Sequence, residues 1–452
     1  MTRTHWITGG IAMMVATAAI GQAQRTAAPN SGPGDIVTTE RPGDPARVVL
    51  PNVERLFDGY VRDGKMPGIV GAFGFADRPT LFLASGQIAD GPKQPFADAD
   101  SLWRVYSMTK PITGMAAMML VEDGRLKLDD PVSKYIPAFA TMRVAIDPDT
   151  SLETRPARTP ITIRMLLTHS AGLGYSISAK GPLLKEYERL GVLPATVNAQ
   201  MEAQMRRVRP TSLAEFANRA ASLPLIAEPG TKWSYSMGLD VMGRVIEVAS
   251  GMSFERFLQT RMFGPLKMNS TYWSVPKSEI GRLATNYAFV GENRTPLDPA
   301  ATSAFLTPPS FPYGGAGLVM SARDYDRFLH MLQDGGTLDG VRVMKPETVA
   351  LGMSNLLPAG VSFGGIGNGN GGTTRTAGMG FGAGGSVMLA DVPGSASKGT
   401  YGWGGAAGTI AWVDPVRHMR GTVMVNYFPG ERWPVRQEVA AALAKDAAGL
   451  AR

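Results

Sequence analysis

Two kinds of hydrophobic patterning alternate along the chain, and their order predicts its architecture. Val53 to Arg62 spaces its apolar residues as an amphipathic helix does. Ile69 to Phe75 and Leu81 to Ile88 read as strands, joined by the turn-rich Ala76-Asp77-Arg78-Pro79. Met108 to Glu122 predicts a strongly apolar helix, closed by Asp123-Gly124. From Asp129 to about Met268 the signals are mostly helical, as in Ile161 to Thr168, Ser212 to Ala221, Leu239 to Ala249 and Phe254 to Phe263. Ser321 to Gln333 and Pro346 to Met353 add two helices. Strand signals return at about Met379 to Leu389, at Thr400 to Val413 and at Gly421 to Tyr427, before a C-terminal helix from Pro434 to Ala447.

Strands at both ends with a helical middle predict an α/β (α+β) fold. Short turns between the late strands favour an antiparallel sheet over βαβ winding. The expected sheet is flanked by helices and built from both termini, residues 48–128 and 300–452. A mainly helical region, residues 129–299, is inserted between them. A cleft between the two parts is the default site. Residues 359–386 hold a dense glycine run, including Asn368-Gly369-Asn370-Gly371-Gly372, which reads as a mobile surface loop. No repeat of 20–50 residues is present.

The first residues read as a secretory signal. Arg3 supplies a positive start, Ile7 to Ile20 an apolar run, and Gly21-Gln22-Ala23 the small residues of a cleavage site. The run is too short for a membrane span, and no later stretch reaches the ~18 apolar residues that one needs. Cleavage near Ala23 predicts an exported chain, periplasmic or secreted. Residues 24–47, rich in Pro, Gly, Thr and Ala, read as a linker.

Composition narrows the chemistry. The 452 residues are 44% hydrophobic and 18% charged, with no Cys and 4 His. Disulfides, thiolate metal sites and a cysteine nucleophile are excluded. His5, His169, His330 and His418 form no close pair, so neither metal nor cofactor is expected. The net charge of +7 is scattered, and the densest basic run, Arg206, Arg207 and Arg209, lies beside Glu202. That pattern predicts no nucleic acid partner.

The remaining nucleophile candidates are hydroxyls. No G-x-S-x-G occurs. S-x-x-K occurs three times, at Ser107–Lys110, Ser274–Lys277 and Ser395–Lys398. On a helix this spacing puts the Lys ammonium within reach of the Ser hydroxyl one turn earlier. A desolvated Lys loses its proton more readily and can act as a base. Only Ser107 opens a long apolar helix, whose N-terminus offers free N–H groups and a positive dipole end. The alternative for Ser107 is an ordinary helix N-cap. Pro111 suits a first helical turn but biases Lys110 away from helical geometry.

Two further segments give Ser107 its context. Trp233-Ser234-Tyr235-Ser236-Met237-Gly238 precedes a helix. Tyr401-Gly402-Trp403-Gly404-Gly405-Ala406-Ala407-Gly408 lies on a strand signal. This order resembles the class C β-lactamase-like serine hydrolases, which include class C β-lactamases, DD-peptidases and family VIII carboxylesterases. Similar text stands at Leu166 to Leu173, Gly314 to Leu318 and Trp412 to Pro415, so the resemblance spans roughly residues 50 to 445. It implies a β-lactamase/transpeptidase-like fold with Ser107 as nucleophile, Lys110 as its base partner and Tyr235 as a proton shuttle. It also implies an oxyanion hole of the Ser107 and Ala406 N–H groups. Trp403-Gly404-Gly405 takes the place of the family's K-T-G triad, and Met237 that of the Y-x-N asparagine.

The W-G-G form resembles the esterase branch. The site loses a cation and two hydrogen-bonding groups and gains an apolar wall from Trp403 and Met237. Bare backbone at Gly404 and Gly405 would admit a substrate. Neutral acyl esters are then favoured over anionic penicillins or acyl-D-Ala-D-Ala. The leading expectation is a serine esterase acting on a small-molecule ester. A β-lactamase, a D-Ala-directed peptidase, an acyltransferase and a non-catalytic sensor are the alternatives. His169 reads as a structural histidine. Residues 178–210 read as either a lid, a wall of the acyl pocket or plain helix packing.

Overall fold

Strict alternation along Gly68–Phe75 (β1) turns Val70 and Ala72 to one face of a sheet, and Ile69 and Phe73 to the other. A computed structural model describes residues 49–365 and 378–450. The signal, the linker and the Asn368–Gly372 run lie outside the described residues. β1 pairs with Leu81–Gly86 (β2) on one side. Beyond these come Met379–Phe381 (β3), Ser386–Met388 (β4), Tyr401–Gly404 (β5), Ile410–Asp414 (β6) and Met419–Met424 (β7). The sheet order is β3-β4-β5-β6-β7-β1-β2 and every pair is antiparallel. Val70 stands opposite Met424, so strands from both ends of the chain close the sheet.

Two of the expected strands are hairpins. The run from Met379 to Leu389 folds back at Gly382–Gly385, where Gly384 holds φ at 79°. The run from Thr400 to Val413 folds back after Gly404, with Gly408 at φ 86°. Continuous apolar patterning hid both turns, because side chains on each arm are buried. The run from Gly421 to Tyr427 also divides. After β7 the chain leaves the sheet, and Tyr427–Phe428 pairs in parallel with Asn286–Val290. That strand in turn pairs with Asn293–Asp298, so a small sheet lies within the stretch read as mainly helical.

Helices cover both faces of the main sheet. Pro51–Arg62 (α1) and Val435–Leu450 (α5) pack on the Ile69 and Phe73 side, where Val53, Phe57, Val435 and Val439 are buried. Thr109–Glu122 (α2) and Ala322–Gln333 (α4) pack on the Val70 and Ala72 side. Every residue of α2 from Thr109 to Leu120 is buried, because Gly238–Ser250 (α3) and Pro346–Gly352 enclose its far side. Gly114 makes that fit possible, since a Cβ there would collide with the Ala383 carbonyl. Gly181–Arg189 sends Leu183 and Tyr187 into this core, so this part of the 178–210 stretch is helix packing. Among the described residues no helix is long and apolar enough to cross a membrane.

A buried ion pair pins α4 to the sheet. Arg420 on β7 donates from Nε to Asp326 Oδ1 at 2.8 Å and from Nη2 to Thr80 Oγ1 at 2.7 Å. Thr80 Oγ1 donates to Asp326 Oδ2 at 2.6 Å. Gly74 opens the path, because a Cβ there would meet the guanidinium. Asp326→Ala leaves Arg420 charged, buried and unpaired. A loss of about 3–5 kcal/mol is expected in urea unfolding, against a smaller loss for Asp326→Asn.

Candidate active site

Ser107 stands in a single 3-10 turn, Tyr106–Met108, between the short strand Leu102–Arg104 and α2. The turn is strained. Tyr106 holds φ at 41°, a region that costs a non-glycine residue about 1–3 kcal/mol. Its surroundings hold it there. The Tyr106 ring packs edge-on against Phe305 and Phe428, and Asn286 Nδ2 donates to its hydroxyl at 3.2 Å. The residue that flanks α2 as N-cap is Met108, and no side chain caps it. Ser107 is therefore not a cap, and its Oγ faces the cleft groups instead. Pro111 is the third residue of α2, where its missing N–H costs nothing, and Lys110 is helical beside it.

Lys110 is fully buried. Its Nζ lies 3.4 Å from Ser107 Oγ and donates to the Gly315 carbonyl at 2.7 Å. It also sits 4.5 Å above the Tyr235 ring. Tyr235 reaches in from the segment before α3, and its hydroxyl donates to Ser107 Oγ at 2.7 Å. The structure thus brings Ser107, Lys110 and Tyr235 together. The other two S-x-x-K runs lie elsewhere. Lys277 begins a 3-10 turn, and Ser395–Lys398 is in the connection between β4 and β5.

The W-G-G segment ends β5, an interior strand of the sheet. Trp403 is buried in an aromatic cluster with Trp233, Phe363 and Phe381, and Tyr235 packs against it. Met237 is 1% exposed and belongs to the main core, not to this cluster. The expected apolar wall of Trp403 and Met237 is thereby corrected: Trp403 joins other aromatics, and Met237 packs beneath α3. The reason for Gly405 is also different from the expected one. A Cβ there would collide with the Val105 carbonyl and Thr409 Oγ1, so its bareness admits the Ser107 segment, not a substrate. Gly404 is looser, with Thr409 O at 3.2 Å from a built Cβ. Ala406 follows in the β5–β6 turn, and among the described residues its N–H has no acceptor.

A second layer was not read from the sequence. Asp240, buried in the first turn of α3, accepts from the Gly315 N–H at 2.8 Å. One residue, Gly315, thus binds Asp240 through its N–H and Lys110 through its carbonyl. Burial pushes the Asp240 carboxyl above its ordinary range, against the pull of Lys110. The sequence signals were the Gly314–Gly315 pair and an acidic residue, Asp240, in the first turn of a largely apolar helix. Tyr175 completes the layer, 5.7 Å from Lys110 Nζ and edge-on to Tyr235.

His169 lies behind Tyr235, with ring centroids 4.8 Å apart. Its Nδ1 accepts from the Ser236 N–H at 3.2 Å. Burial, then the nearby Lys110, hold its pKa well below the ordinary value.

A family model described as Beta-lactamase matches residues 53–445. The chain belongs to that family. It is 30% identical to Esterase EstB of Burkholderia gladioli over 383 residues, 80% of this chain and 86% of that one. It is 29% identical to the lovastatin esterase of Penicillium rubens over 386 residues, 80% of this chain and 88% of that one. Among solved structures it is similar to EstCE1, described as a hydrolase with promiscuous acyltransferase activity. There the TM-score is 0.68 at 26% identity, covering 87% of this chain and 98% of that one. The fold is that of the β-lactamase/transpeptidase-like proteins, in a family with esterase and acyltransferase relatives.

The buried imidazole predicts a pH effect on stability. The unfolded chain protonates His169 near its ordinary pKa of 6.5, and the folded chain only at lower pH. The stability from His169 is complete above pH 6.5 and is lost as pH falls below it. The melting temperature should fall between pH 7 and pH 5, with a shallower slope in His169→Gln. His330, also held low by burial, keeps part of the slope.

Proposed function

We propose that the protein is an exported serine hydrolase that cleaves neutral carboxylic esters through an acyl-enzyme on Ser107. One observation carries this reading: Ser107 Oγ lies 2.7 Å from Tyr235 Oη and 3.4 Å from Lys110 Nζ. A serine so placed has proton acceptors in reach on attack. Lys110 and Tyr235 take the Ser107 proton as Oγ bonds to the ester carbon. The Ser107 and Ala406 N–H groups receive the oxyanion. As the C–O bond to the alcohol breaks, Tyr235 returns a proton to the leaving alkoxide. Water then attacks the acyl-enzyme by the reverse relay, releasing the acid and restoring Ser107.

The neutral substrate follows from Trp403. An indole packed among aromatic rings offers no cation to a carboxylate, so an anionic β-lactam gains less here than a neutral ester. The names of the two esterase relatives favour the same class. Acyl transfer to an alcohol is the second reading, favoured by the activity described for EstCE1. It needs only that an alcohol replace water at the acyl-enzyme. Export rests on Arg3, the Ile7–Ile20 run and Ala23, and we assign residues 129–299 as the mainly helical insert in an α/β domain.

A fluorophosphonate should add its mass to Ser107, and Ser107→Ala should reduce p-nitrophenyl butyrate hydrolysis to background. Lys110→Met and Tyr235→Phe should each lower kcat by about 10²–10⁴-fold. A short-chain p-nitrophenyl ester should turn over faster than a chromogenic cephalosporin. The reverse order would assign a β-lactamase. Acyl transfer to an added alcohol outrunning hydrolysis would assign an acyltransferase.

A further inference from the structure

The final strand signal breaks at Asn426, whose side chain holds the support of one candidate oxyanion donor, while its neighbour Tyr427 holds that of the other. β7 ends at Met424 and the next strand begins at Tyr427. Between them Asn426 is buried and aims its amide at Arg104. Its Nδ2 donates to the Arg104 carbonyl at 3.2 Å. Its Oδ1 accepts from the Arg104 N–H at 3.2 Å and from Arg104 Nη1 at 3.4 Å. The side chain thus satisfies both backbone groups of Arg104, as a neighbouring strand would. Ser107 is three residues further on. On the other side the Tyr427 N–H donates to the Ala407 carbonyl at 3.1 Å, one residue past Ala406.

The Arg104 end of this link is rigid. Its guanidinium pairs with Asp298 at 2.6 Å, both groups being buried, and donates to Ser303 Oγ at 2.9 Å and to the Ala284 carbonyl. Asp298 is itself held by Ser303 Oγ at 2.6 Å and by the Ala304 N–H at 3.0 Å. Charged groups bound on all sides in a low-dielectric core do not shift singly.

We propose that Asn426 is a positioning residue for acyl transfer, one that sets the separation of the Ser107 and Ala406 N–H groups. The proposal rests on the reading of Ser107 as nucleophile. An uncharged amide is the side chain that supplies a donor and an acceptor to the backbone of one residue at this length. Aspartate keeps the acceptor but leaves the Arg104 carbonyl without its donor, and the Val425 carbonyl, bonded at 2.6 Å, loses its partner too. Oxyanion donors act on charge that develops only in the transition state, so a misplaced pair lowers kcat and spares substrate binding.

The test uses the full chain and its Asn426→Ala and Asn426→Asp variants. Active sites are counted from the mass of the Ser107 phosphonate adduct. Then kcat per counted site and KM are measured on p-nitrophenyl butyrate, together with inhibition by an alkyl boronic acid. Misplaced donors should cost about 10–100-fold in kcat per site, with KM within about twofold. Boronic acid affinity should fall in step with kcat/KM. Asn426→Asp, close in shape, decides the question if Asn426→Ala yields no folded enzyme. A lower melting temperature with unchanged kcat per site assigns Asn426 to fold stability alone and overturns the proposal. So does loss of folding in both variants. If the unaltered chain takes no adduct on Ser107, the reading of the site fails and the proposal fails with it. An adduct with unchanged kcat per site sinks the positioning role only.

Discussion

The backbone of Gly405 lies directly on the carbonyl of Val105, and the rest of the site depends on that contact. It is the seam between the turn that carries Ser107 and the end of β5, an interior strand of the sheet. A methyl group at Gly405 would force the two apart. Hydrophobic burial pulls both segments inward without direction. The direction comes from what cannot move: the Leu102–Arg104 strand paired to Val319–Ser321, the Tyr106 ring between Phe305 and Phe428, and the pairing of β5 on both sides. Tyr106 takes up the misfit as a positive φ. That strain is small beside the packing that enforces it.

A second constraint is electrostatic. Lys110 is fully buried, so each group around it counts for more than it would at the surface. Its neighbours are a carbonyl, two aromatic rings and, through the Gly315 peptide, a buried carboxylate. The aromatic rings supply a negative face and no proton acceptor. Ser107 Oγ and Gly315 O both lie within reach of Nζ, which keeps the Lys110 side chain pointed at Ser107. The neutral His169 behind Tyr235 adds no competing charge.

Much of this was legible in the sequence, for identifiable reasons. Ser107, Lys110 and Tyr235 are marked by local spacing and by context, and the structure places them together. The sheet and its flanking helices follow from periodicity. What periodicity could not reveal were turns inside apolar runs, because a buried hairpin and one long strand have the same composition. Gly384 and Gly408 were the only marks of those turns, in a region already rich in glycine. Met237 was misplaced because sequence spacing gives a position and not the direction of the side chain. Asp240, Gly315 and Asn426 bind across long stretches of chain, and no local pattern announces such partners.

The closure of the sheet by strands from opposite ends has a consequence for how the chain is made. β1, Ser107 and α2 leave the ribosome well before β5 to β7. Until then β1 lacks the β7 edge that it pairs with, and α2, enclosed on all sides in the finished protein, lacks the strand that covers one of them. Such long-range pairing is slow and leaves apolar surface exposed in the meantime. Ser107 is thus synthesised before the strands that surround it. A chain that stops short of β5 carries Ser107 and no seam to set it against.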